Sequence, residues 1–303
     1  MVSHDVVGHL LSLVLDIHND HNPHTMATLY LDPPKVDTTE GGKKVNKFTR
    51  PTPPPFVDTA HRVRYQRGQL ALGARILSDQ GWGVGYALGL SARDAGDSGL
   101  VWFLPRGRAL NAVRSDDLVG VDLEGNVVSG TGEVDATYAH IHLAIYASRP
   151  DVNGICSGHT PHGRVFAQKA KPPATLWQDS CIFHRRVGVL SFAGALNAGS
   201  DRKPVADAVS GDIVALVLAN RGLLTASASI EGAIGLYLRL ESLAHAQLLA
   251  EAAVRGRGGE LIPVGEEEAL FTQQNAGSAH QQWMMSLPQY TRLEKATGGP
   301  LVY

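Results

Sequence analysis

The most constraining feature of the sequence is a regular succession of helix-like and strand-like segments between Asp58 and Val254. Leu70, Ala74 and Leu77 recur at helical spacing, with basic residues on the opposite side. Residues 133–149 also read as a helix, which Pro150 stops. Strand-like runs stand between the helices and read YALGLSAR, GLVWFLP, VNGICSGH and IVALVLA. Such alternation predicts an α/β layered fold with a central β-sheet flanked by helices.

Three segments refine this prediction. LVGVDLEGNVVSG reads as a hairpin whose turn lies at residues 124–126. IVALVLA is apolar throughout, which is typical of a strand buried on both faces. Ile230 to Val254 has the composition of a long helix, with Gly256 just after its end.

The first part of the chain differs from the rest. Consecutive prolines at 53–55 cannot continue a helix, so we predict an N-terminal arm over residues 1–55 and a catalytic-type domain over residues 56–303. The arm is either disordered or held on a neighbouring subunit. His18, His21 and His24 have ligand-like spacing, but no carboxylate or cysteine completes a metal set, so a polar loop is the preferred interpretation.

Charge and composition exclude several classes of protein. The net charge is −2 and no long Lys/Arg run occurs, so nucleic-acid binding is not expected. No apolar run approaches the roughly 20 residues that a membrane helix needs. Cys156 and Cys181 are the only cysteines, which fits a reducing cytoplasm better than a disulfide-built secreted scaffold.

Six segments between about residues 65 and 295 occur in the order and spacing of one family. They read SDDLVGVDLEGNVVSG, IHLAIYASRPDVNGIC, HTPHGRVFAQKAKP, QDSCIF, LVLANRGLLTASASIEGAIGLYLRLESLAHAQLLAEAA and AHQQWMMSLPQYTRLE. In these segments the chain resembles the class II aldolase/adducin head family, and within it the adducin-like branch. Six segments in register are strong grounds for a fold and weak grounds for a function.

The resemblance implies a three-layer class II aldolase-like fold and a homotetramer with its active site near a subunit boundary. It also implies a metal ion, usually zinc, held by an HxH pair and by a third histidine in the segment NHGLLT. The metal acts as a Lewis acid that stabilises an enolate while a carbon–carbon bond is made or broken.

This sequence departs from the family pattern at the metal. The HxH pair falls on Ser157 and His159, and the third histidine falls on Arg221. Serine is a poor zinc ligand, and arginine has no free lone pair. The acidic residue of the aldolases falls near Tyr138, and Leu88-Gly89 stands at their glycine/asparagine phosphate loop. We therefore expect neither a resident metal nor a sugar-phosphate aldolase.

Arg221 has two interpretations. It fills a vacant metal pocket by pairing with a carboxylate, or a fixed cation replaces a metal cation. In the second case the guanidinium would hold a developing enolate or carboxylate through two parallel hydrogen bonds. We prefer the second interpretation.

Three further residues are catalytic candidates. His159 is the first choice for a general base or acid, because a neutral imidazole in a pocket exchanges protons near neutral pH. His162 is the second choice. Tyr138 lies one turn before His142 and could donate a proton to a leaving oxygen, although packing with a hydrogen-bonded tip is its competing role.

Ser157, His140 and His142 are candidates for substrate binding. For His142, which matches the family's helix histidine, a satisfied packing role is preferred, and Ser157 could be merely a small filler. Cys156 is expected to be buried and inert. A relocated zinc or iron site, built from His140 or His142 with His159 and His162, remains open, although each ligand would need a second partner to orient it.

Two classes of function follow. The first is a metal-independent lyase or cyclase of specialised metabolism that acts through an enolate on a β-dicarbonyl or β-hydroxy carbonyl small molecule, by dehydration, Michael-type addition or retro-aldol cleavage. The second is a non-catalytic, adducin-like binding or assembly module. A weaker third is a metal-dependent aldolase, epimerase or oxygenase with relocated ligands. An enzyme should keep His159 and Arg221 facing one cavity, with a shifted pKa in at least one of them, whereas a binding module could fill that cavity.

Overall fold

The computed structural model of the protein describes residues 51–82, 88–191 and 200–296. Residues 1–50 of the predicted arm, with His18, His21 and His24, lie outside the described residues. The domain boundary at residue 55 remains a prediction.

A single eight-stranded sheet organises the described part of the chain, in the order β4-β3-β2-β1-β5-β8-β7-β6. Its neighbouring strands are antiparallel except for the parallel pair β6–β7. The strands are β1 (Leu88–Arg93), β2 (Leu100–Phe103), β3 (Val119–Asp122), β4 (Val127–Ser129), β5 (Gly154–Gly158), β6 (Val187–Leu190), β7 (Ala215–Leu218) and β8 (Gly222–Ser227).

Helices cover both faces of this sheet. They are α1 (Thr59–Asp79), α2 (Ala136–Ser148), α3 (Pro161–Ala167), α4 (Lys203–Ala208), α5 (Ile230–Arg255), α6 (Glu266–Ala276) and α7 (Ala279–Ala296). Buried side chains of α1, α3, α5 and α7 form one apolar core with the sheet. Those of α2 and α4 form a second core on the opposite face. The predicted three-layer α/β architecture is therefore confirmed.

The central strands are buried on both faces, as the apolar run IVALVLA predicts. On β7, Val217 packs into the first core, whereas Leu216 and Leu218 pack into the second. Successive side chains of a strand point to opposite faces, so a strand between two helical layers needs apolar residues at every position.

Capping residues set the points at which the long helices begin. The carboxylate of Asp58 accepts a hydrogen bond from the backbone N–H of His61, and α1 begins at Thr59. Asp135 accepts from the N–H groups of Thr137 and Tyr138, so α2 begins at Ala136 and not at residue 133, where helical periodicity alone begins. Strands β6 and β8 have no counterpart in the sequence-based prediction.

Two features noted from the composition concern membrane-spanning helices and the pairing of the cysteines. No helix among residues 51–82, 88–191 and 200–296 is long and apolar enough to cross a bilayer. Cys156 and Cys181 are both free and buried. Burial raises the pKa of the Cys156 thiol well above its usual value, which makes it a poor nucleophile.

A buried polar chain joins β1, α2 and β5. His142 is fully buried, and its Nδ1 and Nε2 lie 2.8 Å from the hydroxyl oxygens of Ser91 and Ser157, respectively. The Tyr146 hydroxyl lies 3.0 Å from the Ser91 hydroxyl. Burial, with a smaller repulsion from Arg221, lowers the pKa of His142 to about 3. The imidazole is therefore neutral and serves packing, the role preferred for it from the sequence.

This burial predicts an acid-sensitive fold. Between pH 6.5 and about 3, His142 takes up a proton in the unfolded chain but not in the folded one. Its contribution to the free energy of unfolding is complete above pH 6.5 and falls by about 2 kcal/mol on going to about pH 5. In the His142→Phe variant, the decrease in the free energy of unfolding between about pH 7.5 and pH 5 should be smaller by that amount, as measured by urea unfolding.

His61→Gln is the matched control, because it removes a histidine of α1 that lies outside the buried polar chain of His142. An equal pH dependence for His142→Phe and the unsubstituted protein would contradict the assignment of this acid sensitivity to His142.

Candidate active site

A cleft of about 590 Å³ opens at the edge of the sheet where β5 ends and β8 begins. The first residue of β1 pairs with the last residue of β5, so β1 also begins at this edge. The described residues that line the cleft come from five places: the end of α1, the start of α2, the β5–α3 loop, α3 itself and the β7–β8 turn. They are Gly81, Trp82, Asp135, Thr137, Tyr138, His159, Thr160, Pro161, Arg164 and Arg221.

The β7–β8 turn places Arg221 beside His159. Asn220 adopts a left-handed backbone with φ of 57°, and the Arg221 N–H donates to the Leu218 carbonyl oxygen at 2.9 Å. A Cβ atom on Gly222 would overlap with the carbonyl oxygen of Gly158, which precedes His159. Only glycine permits this approach of two backbones, so Gly222 brings Arg221 to the end of β5.

Tyr138 lies between the arginine and the imidazole. The Arg221 guanidinium carbon is 5.3 Å from the centroid of the Tyr138 ring, and that ring is 6.0 Å from the His159 ring. A Cβ atom on Gly89 of β1 would lie 2.7 Å from the Tyr138 ring, so the absence of a side chain there makes room for the phenol. The structure thus brings together three of the four predicted catalytic residues: Tyr138, His159 and Arg221.

All three residues have unused hydrogen-bonding capacity. Tyr138 Oη, His159 Nε2 and Arg221 Nε are buried and have no hydrogen-bond partner in the part of the chain that the structure describes. A buried polar atom without a partner costs about 1–3 kcal/mol, and native proteins contain few of them. Three such atoms on neighbouring side chains indicate a site built to bind something polar.

The electrostatics of the cleft favour a neutral imidazole and a protonated phenol. Burial lowers the pKa of His159, and repulsion from Arg221 and Arg164 adds to this effect, while Asp135 opposes it. Burial also raises the pKa of Tyr138, although the nearby Arg221 guanidinium opposes that shift. At neutral pH, His159 can accept a proton and Tyr138 can donate one.

The loop that carries His159 is held by a residue of α5 that the sequence-based prediction missed. The buried Glu241 carboxylate accepts hydrogen bonds from the Thr160 hydroxyl at 2.5 Å and from the N–H groups of His162 and Gly163 at 2.9 and 2.8 Å. An anion at the start of α3 also satisfies N–H groups that lack partners within the helix. Glu241 is about eighty residues further along the chain, so local sequence patterns give no signal for this contact.

His162, the second histidine predicted to be catalytic, does not line the cleft. Its Nδ1 lies 3.2 Å from Glu241 Oε1, and its ring stacks on His245 with a centroid distance of 3.7 Å. The structure therefore places His162 on the α5 side of the loop, away from Tyr138 and Arg221.

The three residues predicted to bind substrate are also placed elsewhere. Ser157 and His142 belong to the buried chain beneath the cleft, and the Ser157 side chain is only 1% exposed. His140 is 2% exposed, and Arg202 and Asp201 are the charged groups that act on its pKa. This placement argues against direct contact between these three residues and a ligand in the cleft.

The residues at the family's metal position do not fit a metal ion. The Ser157 hydroxyl is hydrogen-bonded to His142, Arg221 has no lone pair to donate, and His159 alone remains as a ligand. Within residues 51–82, 88–191 and 200–296, no three His, Cys, Asp or Glu side chains are grouped as metal ligands. The four histidines considered for a relocated site do not converge.

Comparisons with known proteins agree with this architecture. The family described as Class II Aldolase and Adducin N-terminal domain matches residues 68–248, which is more than half of the chain, and the protein belongs to this family. The 4-hydroxy-3-prenylphenylpyruvate oxygenase/4-hydroxy-3-prenylbenzoate synthase of Streptomyces roseochromogenus subsp. oscitans is 30% identical over 74% of this chain and 80% of its own length.

Two further relatives are enzymes by name. Decarboxylase NovR of Streptomyces niveus is 29% identical, and the match covers 74% of this chain and 83% of that protein. The structure of an L-fuculose 1-phosphate aldolase from Glaciozyma antarctica PI12 superimposes with a TM-score of 0.73 and 30% identity, over 83% of this chain and 97% of that chain. The family resemblance stated from the sequence is confirmed.

The electrostatics of the cleft can be tested by following the His159 ring signal by NMR. We expect His159 to titrate below pH 6.5 in the unsubstituted protein. In Arg221→Gln the pKa of His159 should rise towards that value, because the substitution removes a neighbouring positive charge. The signal is assigned by its loss in His159→Ala.

Arg257→Gln is the control, since it removes an exposed arginine just beyond α5 and should leave the His159 titration unchanged. A His159 pKa at or above 6.5, or one that Arg221→Gln does not change, would contradict the geometry described for the cleft.

Proposed function

We propose that the protein is an enzyme that stabilises the enolate of a carbonyl substrate with a guanidinium group in place of a metal ion. The reaction is a lyase reaction of specialised metabolism on a β-hydroxy carbonyl or β-dicarbonyl compound. The observation that carries the proposal is the meeting of Tyr138, His159 and Arg221 in one cleft, each with an unpaired buried polar atom.

In this proposal His159 is the general base and Arg221 is the anion clamp. The neutral imidazole removes a proton from the carbon next to the carbonyl group, and the electron pair of that bond moves onto the carbonyl oxygen. The Arg221 N–H groups donate hydrogen bonds to this oxygen, which carries more negative charge in the transition state than in the substrate. The clamp therefore lowers the barrier of the step that forms the enolate.

Tyr138 is the proton donor. When the enolate collapses, a carbon–carbon double bond forms, the bond to the β-oxygen breaks, and the Tyr138 hydroxyl protonates the departing oxygen so that water leaves. Hydroxide is a much stronger base than a phenolate, so a phenol with a raised pKa remains a competent donor. A proton that passes from the imidazolium of His159 to the phenolate restores the starting state.

The relatives support a lyase on grounds independent of the cleft. One is named a decarboxylase, and another is named both an oxygenase and a synthase of a prenylated hydroxybenzoate, so the fold serves chemistry beyond sugar phosphates. Loss of carbon dioxide from a β-oxo acid and loss of water from a β-hydroxy carbonyl both pass through an enolate, which the same clamp would stabilise.

The observations favour an enzyme over a binding module. A module that had lost its chemistry could fill the cavity with side chains, whereas His159 and Arg221 face an open cleft and the pKa of His159 is shifted. The homo-oligomer expected from the family resemblance, as a homotetramer, remains part of the proposal, and a neighbouring subunit could add residues to the cleft.

The aldol adduct of pyruvate and benzaldehyde tests the proposal in one assay. Dehydration gives benzylidenepyruvate through the enolate of the intact adduct, and carbon–carbon cleavage gives benzaldehyde and pyruvate through the enolate of pyruvate. Product analysis therefore separates two lyase reactions that both place negative charge on the 2-oxo oxygen. We expect turnover in the presence of a chelator. His159→Ala and Arg221→Gln should each lower kcat/KM by about 10²–10³-fold. Tyr138→Phe should lower kcat/KM less for carbon–carbon cleavage than for dehydration.

His61→Gln and Arg257→Gln serve as matched controls for the loss of a histidine or an arginine outside the cleft, and both should retain full activity. Turnover that survives His159→Ala and Arg221→Gln unchanged, or that a chelator abolishes, would contradict the proposal.

A further inference from the structure

The cleft contains a second cation that the proposed reaction does not use. Arg164 lies on α3, and its backbone N–H donates to the Thr160 carbonyl oxygen at 2.9 Å. Because Glu241 fixes the N-terminus of this helix, the position of Arg164 at the cleft mouth is set by the same hydrogen bonds that hold the His159 loop. The Arg164 side chain is exposed, so an entering molecule can reach it.

Arg164 is not paired with a carboxylate among the residues that the structure describes. The salt bridges of that part of the chain involve other arginines, such as Arg149 with Asp151 and Arg239 with Asp179. Asp135 is the one carboxylate among the described lining residues, and its Oδ1 is occupied by the N–H groups of Thr137 and Tyr138.

The balance of charge in the cleft is therefore positive. The cleft is lined by two guanidinium groups, those of Arg164 and Arg221, and by one carboxylate, that of Asp135. His159, on the β5–α3 loop, is neutral. Arg164 lies close enough to His159 to repel its protonated form. Arg221 is assigned to the enolate oxygen, and the Asp135 carboxylate accepts hydrogen bonds from the start of α2, so Arg164 is the guanidinium left to pair with a second negative group.

Trp82 offers the cleft an apolar surface. Trp82 at the end of α1 is half-buried, lines the cleft, and meets the ring of Tyr237 edge-on at a centroid distance of 6.0 Å. An indole ring that lines the same cleft as two arginines suits an aryl or alkyl group attached to an anion.

We infer that the substrate carries a carboxylate in addition to its enolisable carbonyl group, and that Arg164 binds this carboxylate at the cleft mouth while Arg221 holds the carbonyl oxygen. Arg164 is thus a specificity-determining residue that selects acids over the corresponding esters. The inference rests on the proposed function, because it assigns Arg221 to the carbonyl oxygen.

The test uses two probes that differ by one charge. Benzoylpyruvate is an enolised β-dicarbonyl with a carboxylate, and its methyl ester keeps the enol but lacks that charge. Binding of each probe is measured by titration calorimetry to the full chain and to Arg164→Gln, Arg221→Gln and Arg257→Gln.

We expect the unsubstituted protein to bind the acid more tightly than the ester. Arg164→Gln should weaken binding of the acid by about fivefold or more and change the affinity for the ester by less than about twofold. Added salt should reduce the preference, because the second contact is at the exposed mouth. Arg257→Gln should change neither affinity. Equal affinity for acid and ester, an equal loss of both in Arg164→Gln, or no binding of either probe at millimolar concentration would overturn the inference.

Failure of the proposed function gives a different result. If Arg221→Gln leaves the affinity for the ester unchanged, the enolate clamp is wrong, even if Arg164 still selects the acid. If Arg221→Gln weakens both probes while Arg164→Gln has no selective effect, the clamp stands and the carboxylate subsite is wrong.

Discussion

The close approach of β5 and β8 at the cleft is the constraint on which the rest of the site depends. Because Gly222 lacks a side chain, its backbone lies against the Gly158 carbonyl, and Arg221 is delivered to the residue that follows β5. Any other residue at 222 would push the two strands apart. The sheet thus sets the position of Arg221 relative to His159. Glu241 holds the loop that carries His159, and the Asp135 cap fixes the start of the helix that carries Tyr138.

A guanidinium at this position has different chemical abilities from a metal ion. It holds a permanent positive charge and can donate two parallel hydrogen bonds to an oxyanion, but it cannot activate a bound water by coordination. Such a site suits substrates that already form enolates readily, since hydrogen bonds to a developing oxyanion supply less stabilisation than direct coordination. Burial is the main cause of the lowered pKa of His159, and repulsion from the same guanidinium adds to it, so the clamp also helps to keep the base neutral.

The layered fold and the meeting of three catalytic candidates could be predicted from the sequence, because periodicity and family resemblance both report on backbone placement. The hydrogen bond between His142 and Ser157 could not be predicted, since it depends on which side chains of the helix and the sheet face one another. Glu241 and Trp82 were missed for the same reason: their contacts join distant segments. The orientation of His162 towards Glu241 could not be predicted from local spacing either, because α3 places Pro161 and Arg164 at the cleft and His162 against α5.

The central claim is that Arg221 takes the place of the family's metal, and the metal content of purified, untagged protein tests it most directly. Plasma mass spectrometry before and after incubation with zinc or iron measures the number of ions per chain. The claim predicts far less than one ion per chain, and no increase in tightly held metal after incubation. About one tightly held ion per chain would contradict it, and would return His159 and the remaining histidines to consideration as ligands.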